Sequence, residues 1–441
     1  MRRIQHFGKF TICLTSVVFA LIIAGFGQTA QEKVLYNFCS SPDCVDGKQP
    51  HGKPVVDKAG NLYGTTMTGG SDCLQSGGCG TVFELSPSAS GMWRETVLYS
   101  FCVNNVQNCP DGANPVAGLV FDSAGNLYGT TQNGGTYGLG TIFQLIPQSS
   151  TWSESVLWSF GATGDGRAPL CDLIFGTSGK LYGTTSGGGA YNGGTVFRLV
   201  PHSGGQWSEE ILLSFGPGTG NGYGPEAGIT FDKAGNLYGT TLRGGSNGLG
   251  LGVVYKLSPN PQLPWTETVL FKFSTGTGGN PVSTVSFDLL GNLYGTTSEY
   301  GSSNGSIFKL SPRGKEYSLF FLGQPDGSAP YAGLLMNRSG DTAYGTTFAG
   351  GMGGEGAIFQ VHGTKEVVLY SFCSQPGCLD GATPYASLIA RNGILYGTAV
   401  GGGANQWGVV YQTSSTQIRS QLSSVRRTRR VAVGSNVHRS R

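Results

Sequence analysis

Five aspartates that precede a glycine (Asp46, Asp111, Asp165, Asp326 and Asp380) are the first residues that could do chemistry. Carboxylate oxygens held in turns suit calcium, but none of the five lies in the alternating acidic run of a dedicated calcium loop, so turn capping is the expected role. Paired glycines, as in the segment GGTYGLG from residue 134, could cradle a phosphate; they lie between strand-like segments, without the following helix that a phosphate loop needs. Tyr137, Tyr191, Tyr300 and Trp407 stand where related segments carry small or polar residues. An exposed ring with a polar edge is what stacks on a sugar, and packing within the loop is the competing reading. There is no nucleophile elbow, zincin motif or Ser-His-Asp pattern. A glycosidase needs two facing carboxylates, and which acids face each other is not written in the sequence. Zinc wants clustered ligands, whereas His51, His202 and His362 lie far apart. No metal or cofactor is expected.

Ten cysteines add a redox argument. Three pairs fall in one local pattern, FCSSPDC, FCVNNVQNC and FCSQPGC, and give Cys39–Cys44, Cys102–Cys109 and Cys373–Cys378. Cys73–Cys79 is a fourth expected pair and Cys171 is left over. Loop staples of this kind belong to an oxidising compartment. The N-terminus agrees, with Arg2, Arg3 and Lys9 ahead of an apolar run and then small residues, the layout of a secretory signal over residues 1–30. An uncleaved anchor is the alternative; with the signal removed, no membrane span is expected.

The formal charge of +3 comes from the ends: residues 1–30 and 419–441 hold ten of the 28 basic residues and no acid. The body is left with 18 basic against 25 acidic side chains, a poor match for a phosphate backbone, so nucleic acid is excluded as a partner. Residues 414–441 read as a flexible basic tail.

These residues must be positioned by a repeated element. The segment GNLYGTT or a relative recurs with its tyrosine at 63, 128, 182, 238, 294, 344 and 396, a period of about 55 residues. Each copy has four strand-like pieces: an apolar one after a proline (50, 115, 169, 225, 281, 330, 384), then LYGTT, then GTVF, then an alternating run such as VLYSF. Glycine at 75 of 441 residues and charged residues at only 12% exclude a helical bundle and disorder, and glycine lacks collagen's three-residue period. Seven four-stranded units describe an all-β fold, a seven-bladed β-propeller over residues 31–413. The chain begins with a fourth-type strand, residues 34–38, and ends with a third-type strand, residues 408–411, so the N-terminal strand is expected to complete the last blade and close the ring. Strand parity places the fourth-to-first loops and the second-to-third loops on one face, which becomes the candidate binding face.

The combination of YSF, DGxxP, GNLYGTTxxGG and GTVFxLxP resembles the GloVer tandem repeat of bacterial "choice-of-anchor" surface proteins over about residues 33–413. The resemblance implies an exported or cell-surface protein and transfers no catalytic residue. After Thr413 the chain departs from it, with a Ser- and Arg-rich end and no apolar anchor. The expected function is a monomeric, non-enzymatic module that binds glycan or protein, with Tyr137, Tyr191, Tyr300 and Trp407 on its face. A polysaccharide hydrolase or lyase with its site at the channel mouth, or a structural surface-layer component, is the alternative; acids or a histidine converging on inner strands would favour the enzyme.

Overall fold

Each repeat alternates short β-rich runs with turn residues, and it folds as a four-stranded antiparallel sheet. The computed structural model describes residues 30–422 except 72–77, 103–108, 246–249, 261–263, 300–303, 315–316, 324–326 and 364. Seven such sheets follow in order around a central channel. Blade one comprises Val55–Val56, Leu62–Thr66, Thr81–Pro87 and Trp93–Ser100, from the innermost strand outward. The last blade joins Ile389–Arg391, Ile394–Ala399 and Val409–Ser414 to the N-terminal strand Gln31–Asn37. Val34 pairs with Tyr411 and Asn37 with Val409, so the two ends of the fold share one blade, as the strand order predicted.

Two contacts recur at every junction between blades. The first threonine of each GTT donates to a backbone carbonyl at the start of the next inner strand: Thr65 to Ala117, Thr130 to Cys171, Thr184 to Ala227, Thr240 to Ser283, Thr296 to Ala332, Thr346 to Ala386, and Thr398 back to Gly52, at 2.8–3.4 Å. Each is buried and worth on the order of 1 kcal/mol net, with a larger penalty if the acceptor is left unpaired. The second contact sets the glycine that opens GTVF against the proline that opens the next blade. Gly408 has φ +98°, and a β-carbon there would lie 2.5 Å from Pro50 Cδ. No other residue fits, which explains why the glycine and the proline always travel together.

The repeated tyrosine is a packing residue. Its hydroxyl donates to the turn aspartate, as Tyr128 does to Asp122 at 3.1 Å. Its ring meets the inner-strand phenylalanine and the outer-strand tryptophan of the next blade, as in Tyr63 with Phe121 and Trp152, and Tyr128 with Phe175 and Trp207. The tryptophans that recur before the fourth strand are therefore structural.

At the C-terminus the chain remains attached beyond residue 413. Ser414 ends its strand, and the helix Thr416–Leu422 buries Ile418 and Leu422 against Tyr344 and Leu395. Residues 423–441, the rest of the expected tail, and residues 1–29 of the expected signal lie outside the described residues.

The Gly–Pro contact makes a graded prediction. Gly408→Ala must both hold a positive φ and displace Pro50, and it is expected to cost about 2–3 kcal/mol. Gly354→Ala, at φ +82° with nothing within 4 Å, should cost only about 1 kcal/mol. Thermal melts that show equal losses would contradict the junction contact.

Candidate binding site at the channel mouth

The residue immediately after each junction proline points into the channel mouth, and it is His51, Val116, Leu170, Glu226, Val282, Tyr331 or Tyr385. The next residue is small and buried, because its carbonyl accepts the threonine bond. The one after that forms a second ring, with Lys53, Asp172, Gly228, Thr284, Gly333 and Ser387 lining the same cavity. Together the two rings enclose about 300 Å³.

The mouth has two unlike halves. Tyr331 and Tyr385 stack with centroids 5.1 Å apart and planes 22° apart, Phe348 meets both edge-on, and His51 lies 5.0 Å from Tyr385. These rings form an aromatic wall across blades six, seven and one. The other half is polar. Lys53 Nζ is 3.0 Å from Asp172 Oδ2, an ion pair that reaches from blade one to blade three, and the other Asp172 oxygen accepts from Gly118 N at 2.6 Å. Burial lowers His51 to about 4, so its imidazole is neutral at physiological pH. Burial raises the Glu226 carboxyl above its ordinary range despite the opposing charge of Arg243. Asp172 raises Lys53, which stays an ammonium.

None of these residues was singled out from sequence as a site. The available signal was that the position after the proline is a place where near-identical repeats carry unlike side chains. Of the aromatics that sequence did select, Tyr137, Tyr191 and Trp407 lie on the same face, farther out. Tyr137, Tyr191 and Trp407 are 54%, 60% and 40% exposed. Bridges such as Ala113 to Asn133 and Lys48 to Thr68 tie the fourth-to-first loops to the second-to-third loops. Tyr137 and Tyr191 sit on neighbouring blades against Gly161 and Gly216, positions that hold Cys39, Cys102 and Cys373 elsewhere. Trp407 is across the ring on blade seven with Lys48 Nζ 4.6 Å from its centroid. Tyr300 lies outside the described residues.

Cys39–Cys44, Cys102–Cys109 and Cys373–Cys378 are disulfides, and Cys171 is free and buried, with its thiol pushed up to about 11 by burial. Cys79 is also disulfide-bonded; its expected partner Cys73 lies outside the described residues. The sulfurs of Cys79, Cys102 and Cys109 come within 4.8 Å of one another, but with all three oxidised they offer no thiolate to a metal.

The Asp-Gly carboxylates cap their own loops. Asp46 accepts from Ser40 N, Ser41 N and the Tyr36 hydroxyl, and Asp380 repeats the set with Ser374, Gln375 and Tyr370. Asp111 and Asp165 accept from Cys102 N and Gly161 N in the same way, and Asp326 lies outside the described residues. Each of four caps faces an outer-strand glutamate of the next blade. Burial, and then the charge of Asp380, Asp46, Asp111 or Asp165, raises Glu32, Glu95 and Glu154 to about 8 and Glu209 to about 9. Glu267, raised by burial alone, reaches about 7.

The chain belongs to the Gloeobacter/Verrucomicrobia repeat family, whose profile matches residues 16–251 and 232–435. No curated protein matches it. Among solved structures it is similar to a gluconolactonase of Xanthomonas campestris at 12% identity and TM-score 0.41, over 71% of this chain and 85% of that one. It is similar to a putative 6-phosphogluconolactonase of Bacteroides uniformis at 14% and 0.44, over 72% and 86%. A luciferin-regenerating enzyme follows at 15% and 0.40, over 68% and 90%. Likenesses this distant hold no information on chemistry.

The raised junction glutamates predict a pH response for the fold. A carboxyl raised on folding stabilises fully below its unfolded value, here 4.5, and the stability is lost as pH rises through the folded value. His51 acts oppositely, since its lowered value costs stability as pH falls from 6.5 towards 4. Five glutamates outweigh one histidine, so the melting temperature should fall steadily from pH 5 to pH 9. Replacing Glu95, Glu154 and Glu209 together by Gln should flatten that slope; an unchanged slope would show that these carboxyls do not carry it.

Proposed function

We propose that this chain is an exported β-propeller that holds a neutral glycan at the channel mouth and does not turn it over. The observation that carries the reading is the break in symmetry after the junction prolines. Seven near-identical blades place aromatic rings on one side of a single cavity and hydrogen-bonding groups on the other. A pyranose has the same two characters, an apolar face for Tyr331 and Tyr385 and hydroxyls for Glu226 and Thr284. The acidic body disfavours polyanions, and the loop disulfides suit an oxidising compartment. Among the described residues no helix is long and apolar enough to cross a membrane. Tyr137, Tyr191, Tyr300 and Trp407 then extend the contact outward along a longer chain.

A second reading draws on the same cavity. Neutral His51, a Glu226 that retains its proton more readily than usual, and Asp172 come from three inner strands, and an acid beside a base is the equipment for polysaccharide hydrolysis or elimination. The fixed Lys53–Asp172 pair weighs against it, because Asp172 is already engaged as an acceptor on both oxygens.

One glycan array with two variants separates these possibilities. Tyr331→Ala/Tyr385→Ala should weaken the best neutral oligosaccharide about tenfold or more, with an unchanged melt. The quadruple alanine variant at 137, 191, 300 and 407 should weaken only longer chains. Undiminished binding by the Tyr331/Tyr385 variant sinks the proposal, and appearance of shortened or unsaturated products moves the assignment to the enzyme.

A further inference from the structure

The junction between blades five and six lacks the residues that close the others. At the junctions of blades one and two, two and three, and three and four, the repeated tyrosine is covered by a tryptophan of the following blade, and Trp93 lies in the same cluster as Tyr396 where blade seven meets blade one. Where blade seven has no such tryptophan, the C-terminal helix covers Tyr344 with Ile418 and Leu422, and Gln421 accepts from its hydroxyl. Tyr238 is enclosed with Phe271, Phe287 and Tyr317. Tyr294 alone among the seven is only partly buried, where the other six are buried.

Three changes open the gap. Blade six leaves only two residues between its third and fourth strands, Ala357–His362 and Lys365–Ser371, too few for the loop and the tryptophan of blades one to four. Met336 stands where Phe121, Phe175, Phe231 and Phe287 stand in blades two to five. Ala343 stands where the other six copies carry leucine, at Leu62, Leu127, Leu181, Leu237, Leu293 and Leu395. Among the described residues no aromatic ring packs on Tyr294; Lys309 Nζ lies 5.3 Å from its centroid. The result is a crevice of about 210 Å³, bounded by Tyr294, Ile307, Phe320, Met336, Ala343 and Val361. An apolar cavity of about 150 Å³ takes up benzene in other proteins.

We propose that this crevice binds a small planar aromatic molecule of indole size, in the place that the chain's own indole rings occupy at four other junctions. The wall is mostly apolar, with Lys309 and Asp341 also lining it, the Tyr294 ring supplies an aromatic partner, and among the described residues no tryptophan covers that ring. This site is on a blade junction, apart from the channel mouth, and stands whether or not the mouth binds glycan.

The probe is indole, titrated into the full chain by calorimetry. One saturable site is expected. Restoring the repeat's own residues with Ala343→Leu and Met336→Phe should keep or raise the melting temperature and weaken indole at least tenfold. If the double variant fails to fold, Ala343→Leu alone decides, with a loss of threefold or more expected. No saturable binding to the unaltered chain, or equal affinity in the filled variant, overturns the proposal. So would a loss of indole binding in Tyr331→Ala/Tyr385→Ala, which would place it at the channel mouth.

Discussion

The hydrogen bond from the first threonine of GTT to the carbonyl at the start of the next inner strand is the interaction on which the ring depends. It occurs once per junction, it is buried, and Thr398 to Gly52 closes the series. Its demands explain the repeat. The acceptor residue must be small, so glycine, alanine, serine or cysteine stands there; buried Cys171 is one of these, with its thiol 3.0 Å from the Thr184 hydroxyl. The approach of strand to strand must be close, so a glycine faces a proline. The aromatic rings outside can then pack at fixed spacing.

Once those positions are spoken for, two positions per blade take no part in the junction contacts: the residue before the acceptor and the residue after it. Both face the channel. A scaffold that repeats so closely confines variation to these places, and variation there is what the molecule has: a histidine, a glutamate, two tyrosines, a lysine and an aspartate among valines, leucines and glycines. The same logic makes the crevice at Tyr294 informative, because a packing rule obeyed at the other junctions is left unfulfilled at one.

The fold was legible because its determinants recur. Seven tyrosines, seven prolines and an N-terminal run of fourth-strand type were enough for blade count, strand order and closure, and the recurring FC segments with a second cysteine five or seven residues on were enough for three of the staples. The channel mouth was harder to read because its residues do not recur. His51 appeared only as an isolated histidine without metal partners, and Asp172 and Glu226 as two acids among 25. Their convergence depends on ring closure, which brings residues more than 300 positions apart, such as His51 and Tyr385, into contact. The outer aromatics were visible by contrast with their neighbours, but contrast alone did not reveal that Tyr137 and Tyr191 also cover a glycine where other blades have a cystine. The C-terminal helix gave no signal in a Ser- and Arg-rich composition; Ile418 and Leu422 and the bond from Tyr344 to Gln421 dock it.

The proposed binding cavity is built from the residues that flank the threonine bonds, at the mouth of the ring. Hydrogen–deuterium exchange of the full chain, with and without the neutral oligosaccharide selected by the array, tests it most directly. Ligand-dependent protection is expected at the inner-strand starts around residues 51–53, 226–228, 331–333 and 385–387, with little change in the outer strands. Protection confined to the outer loops, or to the opposite face with its D-x-x-G-N turns, would contradict it.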